Sequence, residues 1–214
     1  MVFWDLMLKG GPVMFLIAIC GIAALFIFVC KWLQFHREQI NVHELIKGLT
    51  NVLKRDGFVE ALTLCDNTPG PAARMLGAAI LSYQREDEDL HQAIMDANLV
   101  EIPRLERYIN VLGTIGYIAP LLGMLGTVLG MIDAFQTLSN TSSVNLSAAQ
   151  LAPPIGMALI TTAAGLCVAI PCYIAFNYLV ARAKSMTLDM EKAASEIIYF
   201  FQHHHRLITD TEEL

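Results

Sequence analysis

The chain has 214 residues, 55% hydrophobic and only 16% charged, with a formal net charge of −6 and a mean hydropathy of +0.51. So apolar a composition argues against an ordinary soluble globule, and 14 dispersed Lys and Arg against 20 Asp and Glu argue against a nucleic-acid surface. The five cysteines have no disulfide or zinc-site spacing, and no phosphate loop or nucleophile constellation is present, so nothing points to an enzyme or a resident cofactor.

The first apolar run covers 13–32. Lys31 follows it, which is the polarity of a retained anchor rather than a cleaved leader, so residues 1–12 read as a short outer N-terminus and 13–32 as a membrane span. The region 33–110 reads as helical. Leu45, Leu49, Val52 and Leu53 repeat at helical spacing within 33–64, Asp56-Gly57 supplies a break, and Asn67-Thr68-Pro69-Gly70-Pro71 is a turn. A helix over about 71–84 follows. The acidic run Glu86, Asp87, Glu88 and Asp89 reads as a solvated loop or helix start, with Asp87 or Asp89 able to cap a helix from about 88 toward Tyr108. No turn signal separates that helix from the next apolar run, so it is expected to enter the membrane unbroken, bent at Pro103 and Pro120.

Residues 111–138 and 151–181 are long enough to cross a bilayer core and predict a hairpin of two spans around an outer linker, 139–150, that carries no charge. Gly113, Gly116, Gly123, Gly126 and Gly130 recur at intervals that favour close approach of a second helix backbone. Hydroxyls at Thr127, Thr161 and Thr162 make a polar spot. Helix-internal hydrogen bonding is the plain explanation, and an ion path is the functional one. Asp133 is the only carboxylate in a span. At 1.5 Å per residue it lies about 39 Å beyond Arg107, near the outer boundary, where it reads as a hydrated rim residue, the alternative being that it collects protons or orders cations at a pore mouth.

The charges flanking the spans, Lys31, Arg37, Arg104, Arg107, Arg182 and Lys184, fall on one side if there are three spans. This places the N-terminus and the linker outside, and 33–110 and the tail 182–214 in the cytoplasm.

APLLGMLGTVLGMIDAF, followed by IGMALITTAAGLCVAIPCYIAFN, resembles the paired signatures of the MotA/TolQ/ExbB proton-channel family, closest to its three-span ExbB and TolQ branch. Pro120, Gly123, Gly126-Thr127-Val128, Gly130, Phe135, Thr162, Gly165-Leu166, Pro171 and Asn177 fall in register with it. The resemblance implies an all-α membrane protein forming a pentameric ring in a bacterial inner membrane. Its pore would hold two copies of a single-span partner resembling ExbD or TolR, each with an intramembrane aspartate, and beyond these a TonB- or TolA-like protein. It implies an ion path past Thr127 and Thr162, beside Thr161 and Asp133, and packing or kink roles for Pro120, Gly123, Gly126, Gly130, Gly165 and Pro171. The implied function is a channel or stator subunit of a motor, driven by the proton gradient, that energises outer-membrane import or envelope maintenance.

Threonines do not ionise in the relevant range, so the titrating group must come from the partner, with the hydroxyls expected to hydrogen-bond its carboxylate or a relayed water. The chain departs from the pattern at Met157, where better-known ExbB and TolQ members carry a glutamate. That departure keeps open a reading of another class, a non-conducting scaffold or tension-sensing ring. A secondary transporter would need internal repeats and more spans. Cys20, Cys30, Cys167 and Cys172 read as small apolar packers and Cys65 as a reduced cytoplasmic thiol. His203, His204 and His205 read as polar tail sequence, not a metal site.

Overall fold

The computed structural model describes residues 11–55, 57–85, 90–140 and 148–212, with side chains outside the description at 85, 140, 148–150 and 204–212. The acidic run 86–89, Asp56, the outer N-terminus to residue 10, most of the 139–150 linker and the side chains of His204 and His205 therefore lie outside the described residues. All regular structure among the described residues is helical: α1 Gly11–Glu38, α2 Val42–Leu53, α3 Phe58–Asn67, α4 Pro71–Arg85, α5 Leu90–Glu106, α6 Ile109–Asn140 and α7 Ala148–Glu212. Three helical stretches are long and apolar enough to cross a membrane, and their most apolar windows are only 22%, 22% and 28% buried. Most of that surface is left for lipid or for other helices.

The chain divides into two compact units. One is Tyr108–Leu179 with the chain up to Lys31, and the other is Trp32–Arg107 with the chain from Val180 onward.

In the second unit, short amphipathic helices bury one face each. Leu45, Leu49 and Leu53 of α2, Met75, Leu76 and Ile80 of α4, Ile94 and Leu105 of α5, and Met190, Ile197 and Phe201 of α7 form its core. Phe58, Tyr83 and Phe201 stack in sequence, with centroids 6.2 and 4.0 Å apart. The turn before α4 needs its glycine. Gly70 has φ +124°, and a Cβ there would stand 3.0 Å from the Glu38 carbonyl oxygen, while Pro71 opens α4 where a missing N–H costs nothing. The helical pattern of 33–64 conceals a break. α1 stops at Glu38, and α2 restarts after Asn41, whose carbonyl accepts from the amides of Glu44 and Leu45 at 3.1 Å each.

The unbroken helix expected from about 88 into the membrane is interrupted at Arg107 and Tyr108. Arg107 N–H still donates to the Pro103 carbonyl at 2.9 Å, but Tyr108 takes φ +69° and ends the helix. A left-handed residue closes a helix whichever side chain it carries, and a tyrosine there gives no glycine signal to read. Pro103 lies inside α5 one turn before this break, and Pro120 inside α6.

Candidate functional site

The first unit is organised by the antiparallel seam between α6 and α7. Its register can be followed by asking what a Cβ would meet at each glycine of α6: Phe176 at Gly113, Tyr173 and Cys172 at Gly116, Thr162 at Gly123, Thr161 at Gly126 and Ala158 at Gly130. Contact is closest at two points. A Cβ on Gly126 would stand 2.6 Å from Thr161 Cβ, and one on Gly165 would stand 2.6 Å from the Ala119 carbonyl oxygen. Neither position accepts a larger residue without separating the helices, so the spacing of small residues sets how near the two backbones come. α1 joins through Gly21, 3.3 Å from Val168 by the same measure.

The three threonines sit on this seam in different ways. Thr161 is 3% exposed, and its hydroxyl donates to the Ala158 carbonyl at 2.8 Å. Thr127 is partly exposed and donates to the Met124 carbonyl at 2.6 Å. Thr162 crosses the seam, donating to the Gly123 carbonyl of α6 at 3.1 Å, with the Ala158 carbonyl of its own helix at 3.5 Å. Thr127 stands one turn beyond that acceptor. All three O–H groups are therefore directed at backbone carbonyls, and the hydroxyl oxygens keep their lone pairs for anything that approaches.

Of the other sequence candidates, Asp133 is exposed on α6, its carbonyl accepting from Thr137 at 2.9 Å. Met157 is half-buried on α7, one residue before the seam residue Ala158. Pro171 is exposed inside α7. Among the described residues no cluster of His, Cys, Asp or Glu is arranged to hold a metal.

The second unit contains an ion cluster that sequence spacing did not announce. Glu101 is 5% exposed on α5, its Oε2 accepting from Arg74 Nε at 2.8 Å and lying 2.7 Å from Arg74 Nη2, and its Oε1 accepting from Arg104 Nη1 at 3.0 Å. Arg74 also lies 3.9 Å from Glu38 at the end of α1. The Arg74–Glu101 pair is 27 residues apart in sequence, beyond any helical periodicity. Cys65 is buried on α3, and burial, reinforced by the neighbouring Asp66 charge, pushes its thiol from 9.0 to about 11.

A protein named as an ExbB homologue from Methanothermobacter thermautotrophicus is 30% identical over 176 residues, covering 81% of this chain but only 61% of that longer protein. The biopolymer transport protein ExbB of Neisseria meningitidis is 27% identical over 88% of this chain and 92% of its own length. An ExbB-like protein from Synechocystis sp. is 32% identical over 91% of this chain and 78% of its own. The pattern of one family matches residues 67–192, a stretch that contains the whole seam. The chain belongs to the MotA/TolQ/ExbB proton channel family.

Proposed function

We propose that this chain is the channel or stator subunit of an inner-membrane motor driven by the proton gradient, which energises outer-membrane work of the TonB-dependent or Tol type. In this reading it forms a pentamer around two copies of an ExbD- or TolR-like single-span protein, with a TonB- or TolA-like protein beyond. Spans lie at 13–32, 111–138 and 151–181, the N-terminus and the 139–150 linker are outside, and 33–110 and 182–214 are cytoplasmic. The observation that carries the reading is the hydroxyl of Thr162 reaching across to Gly123, one turn from Thr127, on a seam closed by glycines.

The direction of those hydroxyls gives the proposed mechanism a sign. An oxygen whose proton is already donated to a carbonyl can only accept, so it stabilises a neutral carboxylic acid that still has a proton to give, and offers nothing to a carboxylate. Thr127 and Thr162 would thus favour the proton-loaded form of the partner's aspartate as it passes, which lowers the cost of moving that group at membrane depth. Thr161, sealed against Gly126, would hold the seam. Asp133 at the rim would meet protons or cations from the outer side.

Native mass spectrometry of the complex extracted gently from its own membranes tests this reading. Five copies with two copies of a single-span protein bearing an intramembrane aspartate is the expected result. A ring that never carries such a partner would overturn it and favour a scaffold without ion flow, the reading to which Met157 in place of the usual glutamate gives weight.

A further inference from the structure

Two surfaces of the second unit are left uncovered by the described residues. Between α2 and α7 runs an open groove of about 790 Å³ whose floor includes Ile46, Tyr199 and Phe200 and whose rim carries Lys47, Lys54 and His203, with Glu196 as its one acid. Tyr199 is 71% exposed and stacks on His203 at 6.1 Å. Among the described residues neither lysine side chain has an ion-pair partner. The second surface is the outer face of α5, where Met95 and Leu99, one turn apart, are 65% and 70% exposed. The four-acid run 86–89 directly precedes that helix in sequence.

We infer that the groove receives the acidic run and the first turns of α5 from a second copy of this chain. Charge complementarity selects the occupant. The run supplies four consecutive acids to a rim with two unpaired lysines, and Met95 and Leu99 supply apolar side chains to the aromatic floor. The heights also agree. Tyr83 near the end of α4 stacks on Phe201 at 4.0 Å, and Phe201 lies between the groove residues Phe200 and His203, so the end of α4 is level with the groove. α5 then returns antiparallel to α4, since Arg74 near the start of α4 pairs with Glu101 near the end of α5. Met95 and Leu99 consequently fall about 8 and 14 Å along α5 from Leu90, its first residue. Copies inserted in one bilayer with the same orientation share their heights, so two surfaces at one level on different sides of each copy can meet. A head-to-tail contact of this kind propagates around a closed ring.

The inference rests on copies of the chain assembling as proposed above, and one experiment separates the two. Full-length chain carrying p-benzoylphenylalanine in place of Tyr199 is co-expressed in membranes with a differently tagged copy, irradiated, and its products digested with trypsin. The expected result is a dimer bearing both tags, joined to the peptide 86–104 that Arg85 and Arg104 delimit. Lys47→Glu with Lys54→Glu lowers its yield by about fivefold, the worth of one or two exposed pairs, and Glu86→Lys with Glu88→Lys in the second copy restores it. An adduct within one copy, an adduct to another protein, or an oligomer on native gels without this adduct overturns the contact alone. Loss of every oligomer in the unsubstituted chain overturns both the contact and the ring.

Discussion

Arg74 on α4 closes on the Oε2 of Glu101 through both Nε and Nη2, at 2.8 and 2.7 Å, leaving Oε1 to Arg104 at 3.0 Å. The carboxylate is almost wholly buried while the two arginine side chains remain 42% and 62% exposed, so the partners are not equivalent. Removing Arg74 leaves Oε2 of the buried carboxylate without its two N–H partners, with only the solvent-exposed Arg104 on Oε1, and Arg74→Met is expected to cost about 3 kcal/mol. Arg104→Met removes a partner held mostly in water and is expected to cost under about 1 kcal/mol. Thermal unfolding in detergent, followed by circular dichroism, measures both. Equal effects would contradict this account of the cluster.

The glycine seam predicts a graded response to one added methyl. Gly126→Ala and Gly165→Ala drive a Cβ into Thr161 and into the Ala119 carbonyl, and each is expected to destabilise by about 1–3 kcal/mol. Gly156, with nothing within 4 Å of its built Cβ, is the control. Gly156→Ala is expected to be neutral or stabilising by up to about 1 kcal/mol, since alanine favours helix. The same unfolding assay orders the three variants.

If Thr127 and Thr162 act through their lone pairs, shape without oxygen is not enough. Thr127→Val and Thr162→Val are expected to reduce partner-dependent proton entry by roughly tenfold each, the loss of one hydrogen bond to the moving acid. Thr162→Ser is expected to retain flux, because it keeps the oxygen. A pH-sensitive dye in reconstituted vesicles reads this, and full flux in both valine variants would remove the threonines from the path.

Cys65 offers a pH handle outside the membrane spans. With its thiol near 11 instead of 9.0, the thiolate fraction at pH 8 is about a hundredfold lower, and alkylation in the folded chain is expected to be slower by at least that factor than after denaturation. Because the folded value is raised, the stabilising contribution is complete below about pH 9 and is lost as pH rises through about 11. Cys65→Ser is expected to flatten the alkaline limb of the stability profile over that window.

The three helices long and apolar enough to cross a membrane, and the seam, were legible because each leaves a dense local signal, a long apolar run or glycines at helical intervals. The breaks at Gln39–Asn41 and at Tyr108 were not, since neither carries the glycine or proline that would mark it in sequence. The Arg74–Glu101 pair and the stacking of Tyr83 on Phe201 depend on partners far apart in sequence, where periodicity has no reach. For the threonine hydroxyls, the plain reading of bonding within their own helix was legible, and the reach of Thr162 to another helix was not. Thr127 and Thr161 bond within their own helix, and Thr162 bonds to its neighbour.

Since the inner face of α6 is closed by backbone contact, its bulky side chains are sent outward, with Tyr117, Met124, Val128 and Phe135 all more than half exposed. What holds the hairpin together and what the hairpin meets are thus written on separate faces of one helix. The outward positions are free to drift among large apolar residues without touching the packing of the hairpin, so a lineage can change which helices it accepts while keeping the same machine part.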